Sequence, residues 1–150
     1  MVSLTPTLPG FVVFVRNFMG ITPGDLPDDS PFIELAFESA REFMAVYPCF
    51  SGIALLYTQA VYNLGGTYLL RWADDTPPST YFDDKRDKYG MNAFRAGVLT
   101  SSSDESTSQS MAVGQAMSNL TLADLQMAQD PYGRHALAFL MELGDIWGIS

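Results

Sequence analysis

From Phe43 to Leu70 the chain carries no charged side chain. A run of that length either crosses a bilayer or lies at the centre of a bundle. About twenty predominantly apolar residues span a membrane. This run, however, holds Pro48, Ser51, Gly52, Thr58, Gln59, Asn63, Gly65, Gly66 and Thr67, polar and small groups that are costly or weakly driven in lipid. The reading is no membrane span, but a central helix from Ser51 or Gly52 to Trp72. Ile53, Leu56, Ala60, Asn63 or Leu64, and Thr67 follow one row, while Leu55, Val61, Tyr62, Tyr68 and Leu69 fill much of the rest. Apolar coverage on all sides predicts burial by the rest of the bundle or by neighbouring copies. Gly65 and Gly66 each cost about 1 kcal/mol against alanine in a helix interior, so a close approach of another helix, or a kink, is expected there.

The flanking segments read as shorter helices. Pro9 to Met19 presents Phe11, Val12, Phe14, Val15 and Phe18 on one side, with Arg16 and Asn17 outside. ITPGDLPDDS then turns the chain. Asp29-Ser30-Pro31 is a helix start, with a cap residue, a proline in the first turn and Glu34 near the positive end. Ile33, Phe37, Ala40 and Met44 recur at helical spacing, widened by Phe32, Ala36 and Phe43, and the helix ends before Pro48. Thr121 is placed to cap a short helix running through Ala128. Asp130-Pro131 opens a last helix with Leu137, Leu140, Met141 and Gly144 inward, flanked by Phe139, Leu143 and Ile146.

Between these lies a stretch that cannot build a core. Thr100 to Ser110 reads TSSSDESTSQS, nearly all hydroxyl and acid. Counted from Ala73, where DDTPPSTYFDDKRDKYG begins, the irregular region approaches forty residues. Excursions of that kind in small domains are disordered or used for binding. The fold class is mainly α: one domain over 1–150, a compact bundle of four to five helices with a long polar loop or β-hairpin-like arm inserted at about 73–118.

Little catalytic chemistry is present. His135 is the sole histidine and reads as a partly exposed helix residue. Cys49 has no basic neighbour to activate it, excludes an internal disulfide, and fits a reducing compartment. Asp83, Asp84 and Asp87 lack the spacing of a calcium loop and are offset by Lys85, Arg86 and Lys88. Asn119-Leu120-Thr121 is a glycosylation sequon, and MVSLTPTLPGFVVFVRN has no basic region before its apolar run, against a signal peptide. The expectation is no enzyme, no metal and no cofactor. Net charge is −9, which opposes binding through phosphate neutralisation. Trp147 and Ile149 lie beyond the last helix as candidates for an interface or for folding back onto the bundle.

The order of these features resembles the small head–tail connector, or adaptor, proteins of tailed bacteriophages. A proline-capped helix (SPFIELAFESAREFM) precedes a long uncharged one (LLYTQAVYNLGGTYLL). A serine-rich segment follows through Gly97, Leu99, Thr100, Ser101 and Ser102, then a tyrosine-glycine helix start at Tyr132 and Gly133. The resemblance implies a virion protein made in the host cytoplasm. It would form a homo-oligomeric ring of portal symmetry beneath the portal protein, extending the DNA channel and offering a platform for a neck or tail completion protein. Genomic DNA would pass without specific binding. Gly97, Val98, Leu99, Thr100, Ser101, Ser102, Ser103, Trp147 and Ile149 are the candidate subunit and portal contacts, and Asp83, Asp84, Asp87, Asp104 and Glu105 the candidate channel-facing acids. The chain departs from the family in ending soon after its last helix, so a grip on the portal would come from the arm or from Trp147 and Ile149. The competing expectation is a small cytosolic helical adaptor or regulator without catalysis.

Overall fold

A computed structural model describes residues 4–46, 52–92, 102–104, 107–109 and 126–142. Five α-helices form the described body: α1 (Leu8–Asn17), α2 (Pro31–Ala45), α3 (Ala54–Trp72), α4 (Tyr81–Lys88) and α5 (Pro131–Glu142). The mainly helical bundle expected from the sequence is what the chain forms. The central helix starts at Ala54, two residues after Gly52, which has a positive φ of 84°. That is a backbone state most side chains avoid.

α3 is the axis. Every residue from Ala60 to Thr67 is buried, and α2 packs along it through Ile33, Ala36, Phe37, Ala40 and Met44. Burying side chains such as Phe37 and Ile33 contributes about 1.5–3 kcal/mol each. The glycine pair does what its cost implied. A Cβ on Gly65 would stand 2.9 Å from the Phe11 ring, and one on Gly66 3.2 Å from Met19 Sδ and 3.5 Å from Tyr132 Cβ. Both α1 and the start of α5 therefore close onto bare backbone. Around this seat Phe11 lies 5.7 Å from Phe37 and 5.9 Å from Tyr62, ring centre to ring centre.

Thr7 caps α1, its hydroxyl accepting from the Gly10 N–H at 3.2 Å, while its own N–H donates to the Tyr62 hydroxyl, also at 3.2 Å. Two details differ from the sequence expectation. The helix ends at Asn17, so Phe18 leaves the buried row and is 73 % exposed. Arg16, expected outside, folds over the linker instead: it donates to the Ile21 carbonyl at 2.9 Å and the Leu26 carbonyl at 2.6 Å, and pairs with Asp28. The linker is fastened further by Asp25, which accepts from the Ser79 hydroxyl at 2.6 Å and from Thr22.

The irregular stretch expected from Ala73 onward begins with ordered structure. Asp75 accepts from the N–H groups of Phe82 and Asp83, both at 2.8 Å, satisfying donors that a helix start leaves without partners. Phe82 then inserts fully into the core. Arg86 reaches back to α3, donating to the Leu70 carbonyl at 2.8 Å and to those of Arg71 and Ala73. A cation there complements the negative end of α3. The Tyr81 hydroxyl donates to the Met19 carbonyl at 2.8 Å, and burial pushes its pKa up.

α5 runs antiparallel to α3, since Gln126 meets Arg71 while Gly133 and Asp130 meet Thr67. Asp130 is fully buried, accepting from Thr67 Oγ1 at 3.0 Å and from the Gly133 N–H at 2.8 Å. It is the N-cap of α5, with Pro131 in the first turn. Leu137 and Leu140 face inward as expected, but Met141 is exposed. Gly144 lies outside the described residues, as does the expected helix start at Thr121.

Within the serine-rich stretch, β1 (Ser102–Asp104) pairs antiparallel with β2 (Thr107–Gln109), Ser102 opposite Gln109 and Asp104 opposite Thr107. Residues 93–101, 105–106 and 110–118 of the expected arm lie outside the described residues. None of the described helices is long and apolar enough to cross a membrane. In α3, Asn63 Nδ2 donates to the Gln59 carbonyl at 2.8 Å and Thr58 Oγ1 to the Ala54 carbonyl at 2.9 Å. These two buried polar side chains are thus satisfied by the helix's own carbonyls.

Candidate functional site

Most of the described cations have partners within the chain, while Arg134 stands exposed on α5. Arg16 and Arg86 are used on backbone carbonyls, Arg71 on Gln126, and Arg41 on Glu38. Lys85 and Lys88 lie over the rings of Tyr81 and Tyr89 at 5.4 and 5.9 Å. The acids point the other way: Asp28, Asp29, Glu34, Glu42, Asp74, Asp83, Asp84, Asp87 and Glu142 are all exposed. An overall excess of negative charge thereby becomes an outward-facing one, which repels polyanions and keeps copies soluble.

Three of the five acids expected to face outward can be placed on α4. Asp83 and Asp84 stand in its first turn, favoured by the positive helix end. Asp84 accepts from Thr80 Oγ1 at 3.0 Å, and Asp87 from Asn92 Nδ2 at 2.8 Å. They are exposed not because their segment is unpacked but because Phe82 and Arg86 fix which face of α4 looks inward. Asp104 belongs to β1, and Glu105 lies outside the described residues. Among the described residues no three His, Cys, Asp or Glu side chains converge as a metal site would require.

One end of the bundle exposes several large apolar side chains beside the exposed Arg41, Glu42 and Glu142. The Thr58 hydroxyl donates to the Leu4 carbonyl at 3.1 Å, setting the N-terminal strap against the first turns of α3. The Tyr57 hydroxyl donates to the Arg41 carbonyl at 3.3 Å, bringing the last turn of α2 alongside. Leu4, Val46 and Leu55 are 62, 71 and 46 % exposed in this region, and Phe43 is also exposed. The antiparallel course of α5 carries Met141 toward the same end. A group of large apolar side chains at one end is a surface suited to contact with protein.

Sequence periodicity missed this end, because Leu4 precedes the first helix and Val46 follows α2. The available signal was their position: apolar residues just outside an amphipathic helix have no core-facing row to join. Of the expected contacts, Ser102 and Ser103 lie in β1, whereas Gly97, Val98, Leu99, Thr100, Ser101, Trp147 and Ile149 lie outside the described residues, as does Cys49. His135 is exposed on α5. The arrangement offers surfaces for binding. No protein-family model, curated protein or solved structure matches the chain.

Proposed function

We propose that the protein is a structural component of a tailed-bacteriophage virion. It forms a homo-oligomeric ring at the head–tail junction below the portal, extends the DNA channel and docks a neck or tail completion protein. The observation that carries this reading is an exterior dominated by exposed acids together with exposed apolar side chains near the start of α3. A channel wall must let DNA slide past, and exposed acids supply that repulsion. A ring subunit must also join its neighbours, and the end bearing Leu4, Val46 and Leu55 provides area for it. The order of helices and the serine-rich segment, which resemble the connector family, favour the same role. The acids of α4 are the channel-facing candidates and the serine-rich segment the portal contact.

A second reading, a small cytosolic helical adaptor without catalysis, draws on one observation: the core closes around α3 within a single copy. The two separate by mass. The purified protein is measured alone and with a candidate portal ring, with hydrogen exchange followed over residues 97–115. A large complex in which that segment gains protection supports the connector. A monomer indifferent to the portal, exchanging equally in both samples, overturns it in favour of the adaptor.

A further inference from the structure

The last helix stops where the bundle shows apolar side chains to water. Gly133 of α5 packs on Thr67 of α3, and the two helices run antiparallel from there. An equal number of residues on from that contact, α5 finishes at Glu142, level with Thr58 of α3. The Thr58 hydroxyl holds the Leu4 carbonyl at 3.1 Å, and Leu55 lies about one helical turn before Thr58. The Tyr57 hydroxyl brings the last turn of α2, and with it Val46, to the same end. Leu4, Val46, Leu55 and Met141 are all exposed.

Residues 143–150 follow directly, read LGDIWGIS and lie outside the described residues. Leu143, Ile146, Trp147 and Ile149 are large and apolar, and Asp145 carries the segment's only charge. A chain of this length extends to about 26 Å at most, enough to fold back from Glu142 across Met141, Leu4 and Leu55. Gly144 tolerates the left-handed turn at which helices commonly reverse. Attachment beside Met141 gives the segment an effective concentration in the millimolar range, above that of any other copy at working dilution. Burying its apolar side chains and ordering its backbone are opposing terms of the same order, so such a contact is reversible.

We propose that residues 143–150 dock on this end of their own chain, covering Leu4, Val46, Leu55 and Met141 with Ile146, Trp147 and Ile149. The segment is a displaceable cap: a partner that binds this end must first move it aside. The proposal is independent of the connector reading, which needs the end uncovered only in the assembled ring.

The test reads Trp147. The chain has two tryptophans, and Trp72 stands at the opposite end of α3, so Trp72→Phe leaves Trp147 as the sole reporter. Its emission maximum and its quenching by acrylamide are followed at micromolar protein and on dilution, with and without Val46→Glu and Leu55→Glu together. Docking predicts a blue-shifted, weakly quenched Trp147 that ignores dilution, and a double variant in which it emits and quenches like a water-exposed indole. If Trp72→Phe fails to fold, 5-fluorotryptophan gives each tryptophan its own 19F signal for the same comparison. If the double variant fails to fold, a chain stopped at Glu142 carries the test and should bind more of the dye ANS than the intact protein. A Trp147 already exposed in the parent overturns the proposal, as does one that ignores the double variant. Protection that is lost on dilution gives the end to a second copy and overturns it too. So does equal ANS binding by the shortened and intact chains.

Discussion

Asp130 shows how much one side chain decides in this bundle. It caps α5 and takes the Thr67 hydroxyl of α3 in the same buried place. Asp130→Ala removes a cap worth about 1 kcal/mol and leaves a buried hydroxyl unpaired at about 1–3 kcal/mol. Urea denaturation should therefore show a loss of about 2–4 kcal/mol, and Asp130→Asn, which keeps an acceptor, a smaller one. Equal losses for both variants would contradict this account. Two glycines give a sharper contrast. A Cβ on Gly133 would collide with the Met127 carbonyl, whereas one on Gly66 meets chiefly the flexible end of Met19. Gly133→Ala should cost about 2 kcal/mol or more. Gly66→Ala should come out near neutral, because the gain of about 1 kcal/mol in helix propensity offsets the crowding.

Single residues also set the pH limits. The Ser79 and Thr22 hydroxyls hold the Asp25 pKa below the ordinary 3.8. Its stabilising contribution is complete above that value and fades as acid carries the pH through the lowered one. Burial raises the Tyr81 pKa above the ordinary 10.0, helped by Tyr132 and Tyr89. Its contribution is present below that value and is lost as the pH climbs through the raised one. Asp25→Asn should flatten part of the acid limb of stability against pH, and Tyr81→Phe part of the alkaline limb. Denaturant midpoints across pH check both.

At the scale of elements, α4 is the informative case. It rests on the core through one fully buried ring, so Phe82→Ala should cost about 3–5 kcal/mol. Hydrogen exchange should then rise first over residues 81–88 while α2 and α3 keep their protection. The sequence makes α2 and α3 legible because their apolar residues recur on helical rows and Ser30-Pro31 marks a start. It shows α4 only in part, since DDKRDK reads as a solvated charged stretch of one helical turn or two with nothing to mark its packing. What holds that helix is Arg86 turning back to carbonyls of α3 and Asp75 capping from the preceding loop, both tertiary facts. The same reason hides Arg71: on the helix row it is simply the first charge after an uncharged run. Phe18 was misplaced because periodicity carries no mark of where α1 stops. The candidate acids on α4 were legible as exposed residues, but the apolar end was not, since it is assembled from Leu4, Val46 and Leu55 on three separate segments.

For the whole molecule, the charge arrangement predicts no retention of duplex DNA even at low salt, where electrostatic binding is strongest. A mobility-shift assay checks this, and retention that weakens steeply with salt would refute it. The apolar end gives a separate expectation. Val46→Glu with Leu55→Glu should leave the urea midpoint close to the parent, as exposed substitutions usually change stability by no more than about 0.5 kcal/mol, yet abolish self-association or portal binding in sedimentation. Association that survives the double change would move the interface elsewhere.

The bond between the Thr7 N–H and the Tyr62 hydroxyl joins positions 55 apart in sequence, and the Phe11 ring closes on the backbone at Gly65. Synthesis delivers α1 to water well before α3 exists. Until translation has passed Gly66, Phe11 can rest on Phe37 of α2 but lacks the wall that α3 supplies. The first helix made is thus the one that must wait, and that interval exposes the nascent chain to chaperones and to other unfinished copies on the same message.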